Sequence, residues 1–284
     1  MTEVVKNALY IVGTPIGNLE DITFRAVRIL QEVDLIAAED TRHTGKLLQH
    51  YHIKTAQVSY HEHNRQQRVG ELLQNLETGK SIALVTDAGM PGISDPGYDL
   101  VRACVKSGFL VIPIPGVTAA ITALAASGLP TEQFVFVGFL PPKSKDRKEY
   151  LANMKSENRT LIFYESPHRL NSTLTDLETV LGGERRIVLA RELTKLHEDF
   201  WRGTIADAIA LYAQDRQPKG EYTLVVAGSA KSESITLSEA QLKAELRQLI
   251  QQGMTRSQAS RQLAELTSLP RRQIYQLSLE DQDA

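Results

Sequence analysis

A chain of 284 residues is long enough for two α/β domains, and 42% hydrophobic against 23% charged residues is a soluble globular balance that can bury cores without staples. A single cysteine, Cys104, excludes an internal disulfide, and a formal net charge of −2 excludes a globally basic nucleic-acid binder. The segment Met1–Lys6 lacks a basic stretch followed by a long apolar one, and no window approaches the ~20 apolar residues of a bilayer span; a cytoplasmic protein with no membrane partner is expected.

In chain order, strand-length apolar runs alternate with amphipathic stretches of helix length. The strands expected in the first part are Leu9–Val12, Asp34–Ala38, Gln57–Tyr60, Ile82–Val85 and Leu110–Pro113. Continuous apolar strands separated by helices predict a parallel sheet covered on both faces. The helix from about Ile22 to Val33 follows Asp21, a good N-cap, and carries Ile22, Ala26, Ile29, Leu30 and Val33 on one stripe. Cys104 lies in the apolar helical run Leu100–Val105 and reads as a small buried hydrophobe rather than a nucleophile. Gly79-Lys80-Ser81 mimics the end of a P-loop, but Gln74 replaces the required glycine and the segment precedes a strand.

Gly128-Leu129-Pro130 interrupts the pattern, which predicts a domain boundary there. Strands follow at Phe134–Phe139, Thr160–Tyr164, Ile187–Ala190 and Tyr222–Val226, with His197–Gly203 pairing antiparallel to the strand before it, so a mixed sheet is expected. After Lys231 the strand signals stop. Ser238 caps a helix to about Gln252, Gly253 ends it, and helices follow near Ser257–Leu266 and Arg271–Leu279. The predicted organisation is α/β, with domains at 1–129 and 130–231 and a helical appendage at 232–284.

Four turns after strands in the first part are crowded with small, turn-forming or charged residues: Gly13–Asn18, Ala38–Arg42, Asp87–Gly97 and Pro115–Ala120. Ligands of open α/β sheets bind outside the carboxyl ends of the strands, where such loops gather. Glycine lets backbone approach a ligand closely, and several such loops on one edge predict a cleft rather than plain turns.

The strings Leu9–Thr23, Ala38-Glu39-Asp40-Thr41-Arg42, Asp87-Ala88-Gly89-Met90-Pro91, Tyr164–Arg169 and Ala190–Lys195 resemble the ribosomal RNA small-subunit methyltransferase I family over nearly the whole chain. That resemblance implies the two-domain tetrapyrrole-methylase fold, S-adenosyl-L-methionine held in a cleft between the domains, and a homodimer. It also implies 2′-O-methylation of a cytidine ribose in the decoding region of 16S ribosomal RNA, with the RNA or the small ribosomal subunit as partner. Matched to the family pattern, Thr14, Pro15, Asp87, Ala88, Gly89, Thr118, Ala119, Tyr164 and Ala190 are the implied cofactor contacts. The Asp87–Gly97 loop departs from the tetrapyrrole version in the order of its acidic and glycine residues.

A ribose hydroxyl is a weak nucleophile, so a general base would help even where positioning supplies much of the rate. His61 and His63 flank Glu62 at a strand end, and Glu39 and Glu165 sit in two of the quoted motifs; these four are the candidate catalytic residues. Metal ranks last for the His-Glu-His order, which lacks the helical spacing of zinc proteases. Lys143, Lys145, Arg147 and Lys148, with Arg256, Arg261, Arg271 and Arg272 in the tail, are the candidate RNA contacts, although solvated helix faces carry similar charge. The basic loop and helical tail favour a macromolecular substrate. A small-molecule methylase on the same fold, and a noncatalytic RNA-binding protein with a degenerate cleft, are the competing readings.

Overall fold

A computed structural model describes residues 3–213, 217–229, 237–267 and 269–280. Met1–Gly228 forms one compact unit and Ser229–Ala284 another. In the first unit, β1 (Ala8–Val12), β2 (Leu35–Ala38), β3 (Gln57–Ser59), β4 (Ile82–Val85) and β5 (Leu110–Ile114) make an all-parallel sheet in the order β3-β2-β4-β1-β5. Helices α1 (Phe24–Glu32), α2 (Thr41–His50), α3 (Arg65–Glu77), α4 (Tyr98–Lys106) and α5 (Ala119–Ser127) connect or follow these strands. The second sheet, β6 (Phe134–Phe139), β7 (Thr160–Glu165), β8 (Arg186–Arg191), β9 (Asp199–Thr204) and β10 (Tyr222–Val226), runs β6-β7-β10-β8-β9. Only β6–β7 is parallel there, and β8–β9 pair antiparallel as the sequence predicts. Helices α6 (Ser144–Ala152), α7 (Leu170–Leu181) and α8 (Ile205–Ala213) pack with it.

The first sheet is buried on both faces, as its strand composition demands. Tyr10, Val12, Ile36 and Val85 face one layer with Ile29 and Leu30 of α1, while Leu9 and Leu84 face the other with Leu72 of α3 and Leu100 and Cys104 of α4. Cys104 is fully buried, and burial pushes its thiol up to about 11, consistent with a packing role. Asp21 does not cap α1: it sits in a 3-10 turn at Leu19–Asp21, and Thr23 accepts the hydrogen bond from the Ala26 amide. Ser81, from the P-loop look-alike, is buried and donates to Asp34.

Helix α5 ignores the expected boundary near residue 129. Its residues Ala120, Ala123 and Leu124 pack with Leu129 onto Ile162, Val188, Ala190 and Val225 of the second sheet. Alanines allow this close approach, Gly128 in the left-handed region (φ 75°) ends the helix, and Arg202 of β9 donates to the carbonyls of Ala126 and Ser127.

In the second unit, α9 (Glu239–Gln251), α10 (Arg256–Thr267) and α11 (Arg271–Glu280) share a core of Leu246, Ala259, Leu263 and Ile274. Ser238 and Gln241 form a capping box, and Gly253 (φ 95°) follows the end of α9. Leu266 of α10 stays outside this core and is 43% exposed. Ser268, and the start of the expected tail at Ser232, lie outside the described residues.

The α6–α7 pair contains an ion pair that sequence reading assigns differently. Arg147, a candidate RNA contact, is 1% exposed, with Nε 2.7 Å from Asp176 and Nη1 donating to the carbonyls of Pro141 and Pro142. A guanidinium with its donors committed inside the protein does not reach a phosphate, so Arg147 is corrected to a structural role. Lys148 leans on the same carboxylate at 3.3 Å, whereas Lys143 and Lys145 are exposed. Asp176→Ala strands the Arg147 charge, and urea unfolding should register a loss of about 3–5 kcal/mol; a loss below about 1 kcal/mol would mean that water replaces the carboxylate.

Candidate functional site

The loops leaving β1 and β4, neighbours in the first sheet, lead to opposite edges, the arrangement that opens a crevice at the carboxyl ends of the strands. Thr14 and Gly89 tie these loops together by exchanging backbone hydrogen bonds of 2.9 and 3.0 Å. Gly13 and Gly116 meet backbone to backbone: a Cβ on Gly13 would lie 2.7 Å from the Gly116 Cα. The first loop also reaches the second sheet, where the Asn18 amide donates to Thr194 Oγ1.

Between the two sheets lies a cavity of about 490 Å³, within the range of small-molecule sites. The first sheet contributes Ile16, Glu39, the Asp87–Met90 turn, Ile93–Asp95, Thr118 and Ala119. The second contributes Phe139, the Tyr164–Pro167 turn, Ala190, Leu193, Lys195 and residues Glu221–Thr223. Thr118 caps α5, and the Tyr164 hydroxyl accepts the Ala120 amide, so the helix start is fixed from both sides of the cavity.

Three carboxylates share one end. The Asp87 amide donates to Glu39 and the Asp40 amide to Asp87, which locks the β2 and β4 loops together. Burial raises Glu39 above the usual carboxylate range, against the opposing Asp87 amide bond. Asp95 is pushed up to about 7, by burial first and then by the charges of Glu39 and Asp87. Such a cluster disfavours its own full ionisation and favours a cationic guest.

Glu165 is 2% exposed, and its oxygens accept from the Ser166 amide and the Thr173 hydroxyl, with Arg169 3.3 Å away. These partners make it an anchor of the Tyr164–Arg169 turn.

A family model described as Tetrapyrrole (Corrin/Porphyrin) Methylases matches residues 8–209. The ribosomal RNA small subunit methyltransferase I of Synechocystis sp. is 61% identical over 272 residues, covering 96% of this chain and 97% of that protein. The protein of the same name from Escherichia coli O157:H7 is 48% identical over 276 residues, covering 96% and 95%. The chain belongs to the ribosomal RNA small subunit methyltransferase I family, within the tetrapyrrole methylases.

Solved structures agree on the family's fold. Uroporphyrin-III C-methyltransferase from Thermus thermophilus, complexed with S-adenyl homocysteine, superposes with a TM-score of 0.55 at 18% identity, covering 78% of this chain and 97% of that one. The methyltransferase CobJ gives 0.59 at 18%, covering 78% and 94%. At these identities the likeness concerns the fold alone.

Of the residues that the family resemblance implies for the cofactor, Asp87, Ala88, Gly89, Thr118, Ala119, Tyr164 and Ala190 line the cavity. Thr14 and Pro15 do not; the Thr14 hydroxyl is spent on the Thr86 carbonyl at 2.9 Å, and Ile16 lines the wall in their place. Glu39 and Glu165 are in the wall, but His61 and His63 are not. Their rings lie 6.0 Å apart beyond the end of β3, and Glu62 between them pairs with Arg65. Asp95 and Phe139 are among the wall residues that sequence reading does not single out, as are Ile16, Leu193 and Lys195. Asp95 stands in the quoted Asp87–Gly97 loop, where charge inside a glycine-rich turn was the available signal.

The Asp95 shift has a thermodynamic consequence. Its folded-state pKa of about 7 lies above the ordinary 3.8, so the folded chain holds this proton more tightly than the unfolded chain. Stability from this group is present at low pH and declines as pH rises from about 4 towards 7. Urea midpoints of the ligand-free protein and Asp95→Asn should therefore diverge across that window, the variant gaining relative to wild type. Parallel profiles would show that Asp95 titrates normally.

Proposed function

We propose that this protein transfers a methyl group from S-adenosyl-L-methionine to the 2′-hydroxyl of a cytidine in the decoding region of 16S ribosomal RNA. The observation that carries this reading is the acidic cavity between the sheets, in a chain 61% identical to a ribosomal RNA methyltransferase over almost its full length. The wall suits the cofactor. Glu39, Asp87 and Asp95 offer negative charge to its cationic groups, Ile16, Met90 and Leu193 offer apolar surface, and the cavity volume matches a ligand of that size. Once bound, the cofactor supplies a methyl group already activated on a sulfonium.

The chain's own residues do the rest. The paired loops at Thr14–Gly89 and Gly13–Gly116 hold the wall rigid, so alignment supplies much of the rate. Glu39, partly desolvated and raised in pKa, accepts the hydroxyl proton at a carboxylate oxygen. Glu165 positions the Tyr164–Arg169 turn. His61 and His63, outside the wall, act at most through Glu39, to which His61 contributes a favourable charge interaction.

Lys143 and Lys145, with Arg256, Arg261, Arg271 and Arg272 of the tail, supply local positive charge for RNA that the net charge of −2 does not. Arg271 already donates to Ser257, which leaves part of its guanidinium for a phosphate. The working form is a cytoplasmic homodimer. Exposed Val105, Leu110 and Ile121 on the consecutive elements α4, β5 and α5 support the dimer, and sedimentation equilibrium reads it directly.

Radiolabelled methyl transfer to small subunits from a strain lacking the protein tests the whole reading. Label should appear in an alkali-resistant dinucleotide, as a 2′-O-methylated ribose requires; label released as a mononucleotide would move the target to a base. In the same assay Glu39→Gln should lower the single-turnover rate by roughly 10²–10⁴ and abolish its rise with pH. Retention of both would return the proton to water or to another group.

Neutralising Arg256, Arg261, Arg271 and Arg272 together should flatten the salt dependence of RNA binding by about one unit per lost phosphate contact. An unchanged slope would make the tail purely structural.

A further inference from the structure

Strand β6 carries a β-bulge whose effect falls on one side chain. Phe136 pairs with Ile162, but the register then shifts: Gly138 pairs with Phe163 and Phe139 with Tyr164. Val137 is the extra residue. Without the shift, Phe139 would fall on the opposite face of the sheet from Phe136, because side chains alternate along a strand. With it, Phe136 and Phe139 stand on the same side, flanking Tyr164 edge-on at 5.0 and 5.6 Å between ring centres.

Gly138 makes the bulge possible. Its φ of 74° lies in the left-handed region, and a Cβ there would come within 2.9 Å of Ser94 Oγ. Ser94 itself is left-handed, at φ 63°. The residues next to this contact, Ile93 and Phe139, both line the cavity and are 50% and 55% exposed. A large ring held half in water by a glycine bulge is costly for stability alone, and bulges of this kind re-aim side chains beside functional sites.

The chain after Phe139 is pinned as well. Arg169 donates to the Leu140 carbonyl at 2.7 Å, and Arg147 donates to those of Pro141 and Pro142. The exposed Lys143 and Lys145 follow at once. An exposed ring followed within a few residues by exposed cations is the chemistry that holds an unstacked nucleotide, the ring taking the base and the cations the phosphates.

We propose that Phe139 is the stacking platform for the base of the nucleotide whose ribose enters the cavity. This rests on the RNA-methylating reading above and makes Phe139 a positioning residue for that substrate.

The experiment uses full-length protein, S-adenosylmethionine, and a decoding-region RNA made with the target cytidine either intact or abasic. RNA binding, single-turnover methylation and cofactor affinity are measured separately. Phe139→Ala should weaken binding of intact RNA roughly 5- to 150-fold, the span of a lost base–aromatic stack. Phe139→Tyr and Phe139→Trp should restore it, and cofactor affinity should stay at the wild-type value in all three. On abasic RNA, wild type should fall to the level of Phe139→Ala, and the variant should fall no further.

Equal RNA binding by wild type and Phe139→Ala would overturn the proposal, as would a loss of the same size on intact and abasic RNA. Weakened cofactor binding in Phe139→Ala would reassign the ring to the cofactor. Wild type that binds RNA without methylating it would defeat the proposed function while leaving the stacking result readable from binding alone. Absence of RNA binding by wild type would defeat both.

Discussion

The packing of α5 against the second sheet is the contact on which the site depends. The helix leaves the first sheet at Pro115-Gly116, yet Ala120, Ala123 and Leu124 are buried against Ile162, Val188 and Val225. Both of its ends are held by the second sheet's residues, Tyr164 at the first amides and Arg202 at the last carbonyls. Helix termini leave such groups unpaired, so each contact stabilises the helix and fixes its place. Because Thr118 and Ala119 begin this helix and also line the cavity, the same packing that joins the sheets sets the distance across the cleft.

Charge on this molecule is arranged against its average. Three carboxylates crowd a partly desolvated cavity end, which suits a small cation and would repel a polyanion. The exposed Lys143 and Lys145 instead follow Phe139 in the chain and are not part of the cavity lining. This separation lets one cleft serve two ligands of opposite sign, provided that the nucleic acid reaches in with a neutral part. On the proposed reading, the ribose hydroxyl and the base are that neutral part, and the phosphates stay outside the acidic cavity.

Much of this fold was legible from residue pattern. Continuous apolar strands pointed to a sheet covered on both faces, and His197–Gly203 to antiparallel pairing, because both signals are local. The allegiance of α5 was not legible: an alanine-rich helix announces burial without naming its partner, and Gly128-Leu129-Pro130 marks a chain break that packing crosses. Arg147 misled for a related reason. In Lys143–Lys148 it is one cation among several, and only the fold brings Asp176, 29 residues away, beneath it. The crowded loops located the cleft, but Thr14 turned inward to a carbonyl and the histidines fell outside the wall, since loop composition does not fix side-chain direction. The bulge at Gly138 was invisible, because one glycine in an apolar strand does not state a register.

Backbone strain follows the same map. Among the described residues, five other than glycine take positive φ, and Ser94, Glu192 and Thr194 of these belong to loops bordering the cavity. Each such residue costs on the order of 1–3 kcal/mol and persists only where its surroundings over-determine it. The surroundings do so here. Glu192 accepts from Lys195 and from the Glu221 amide, each at 2.9 Å, while its own amide donates to the Glu221 carbonyl. Thr194 accepts from Asn18 and donates its amide to Glu198. Every one of these bonds holds Leu193 and Lys195 at the wall, and the Asn18 bond holds them to the first sheet. A loop needed only to connect β8 to β9 could relax to ordinary dihedrals. This one is kept strained because its position across the cleft, rather than its own stability, is what the fold secures.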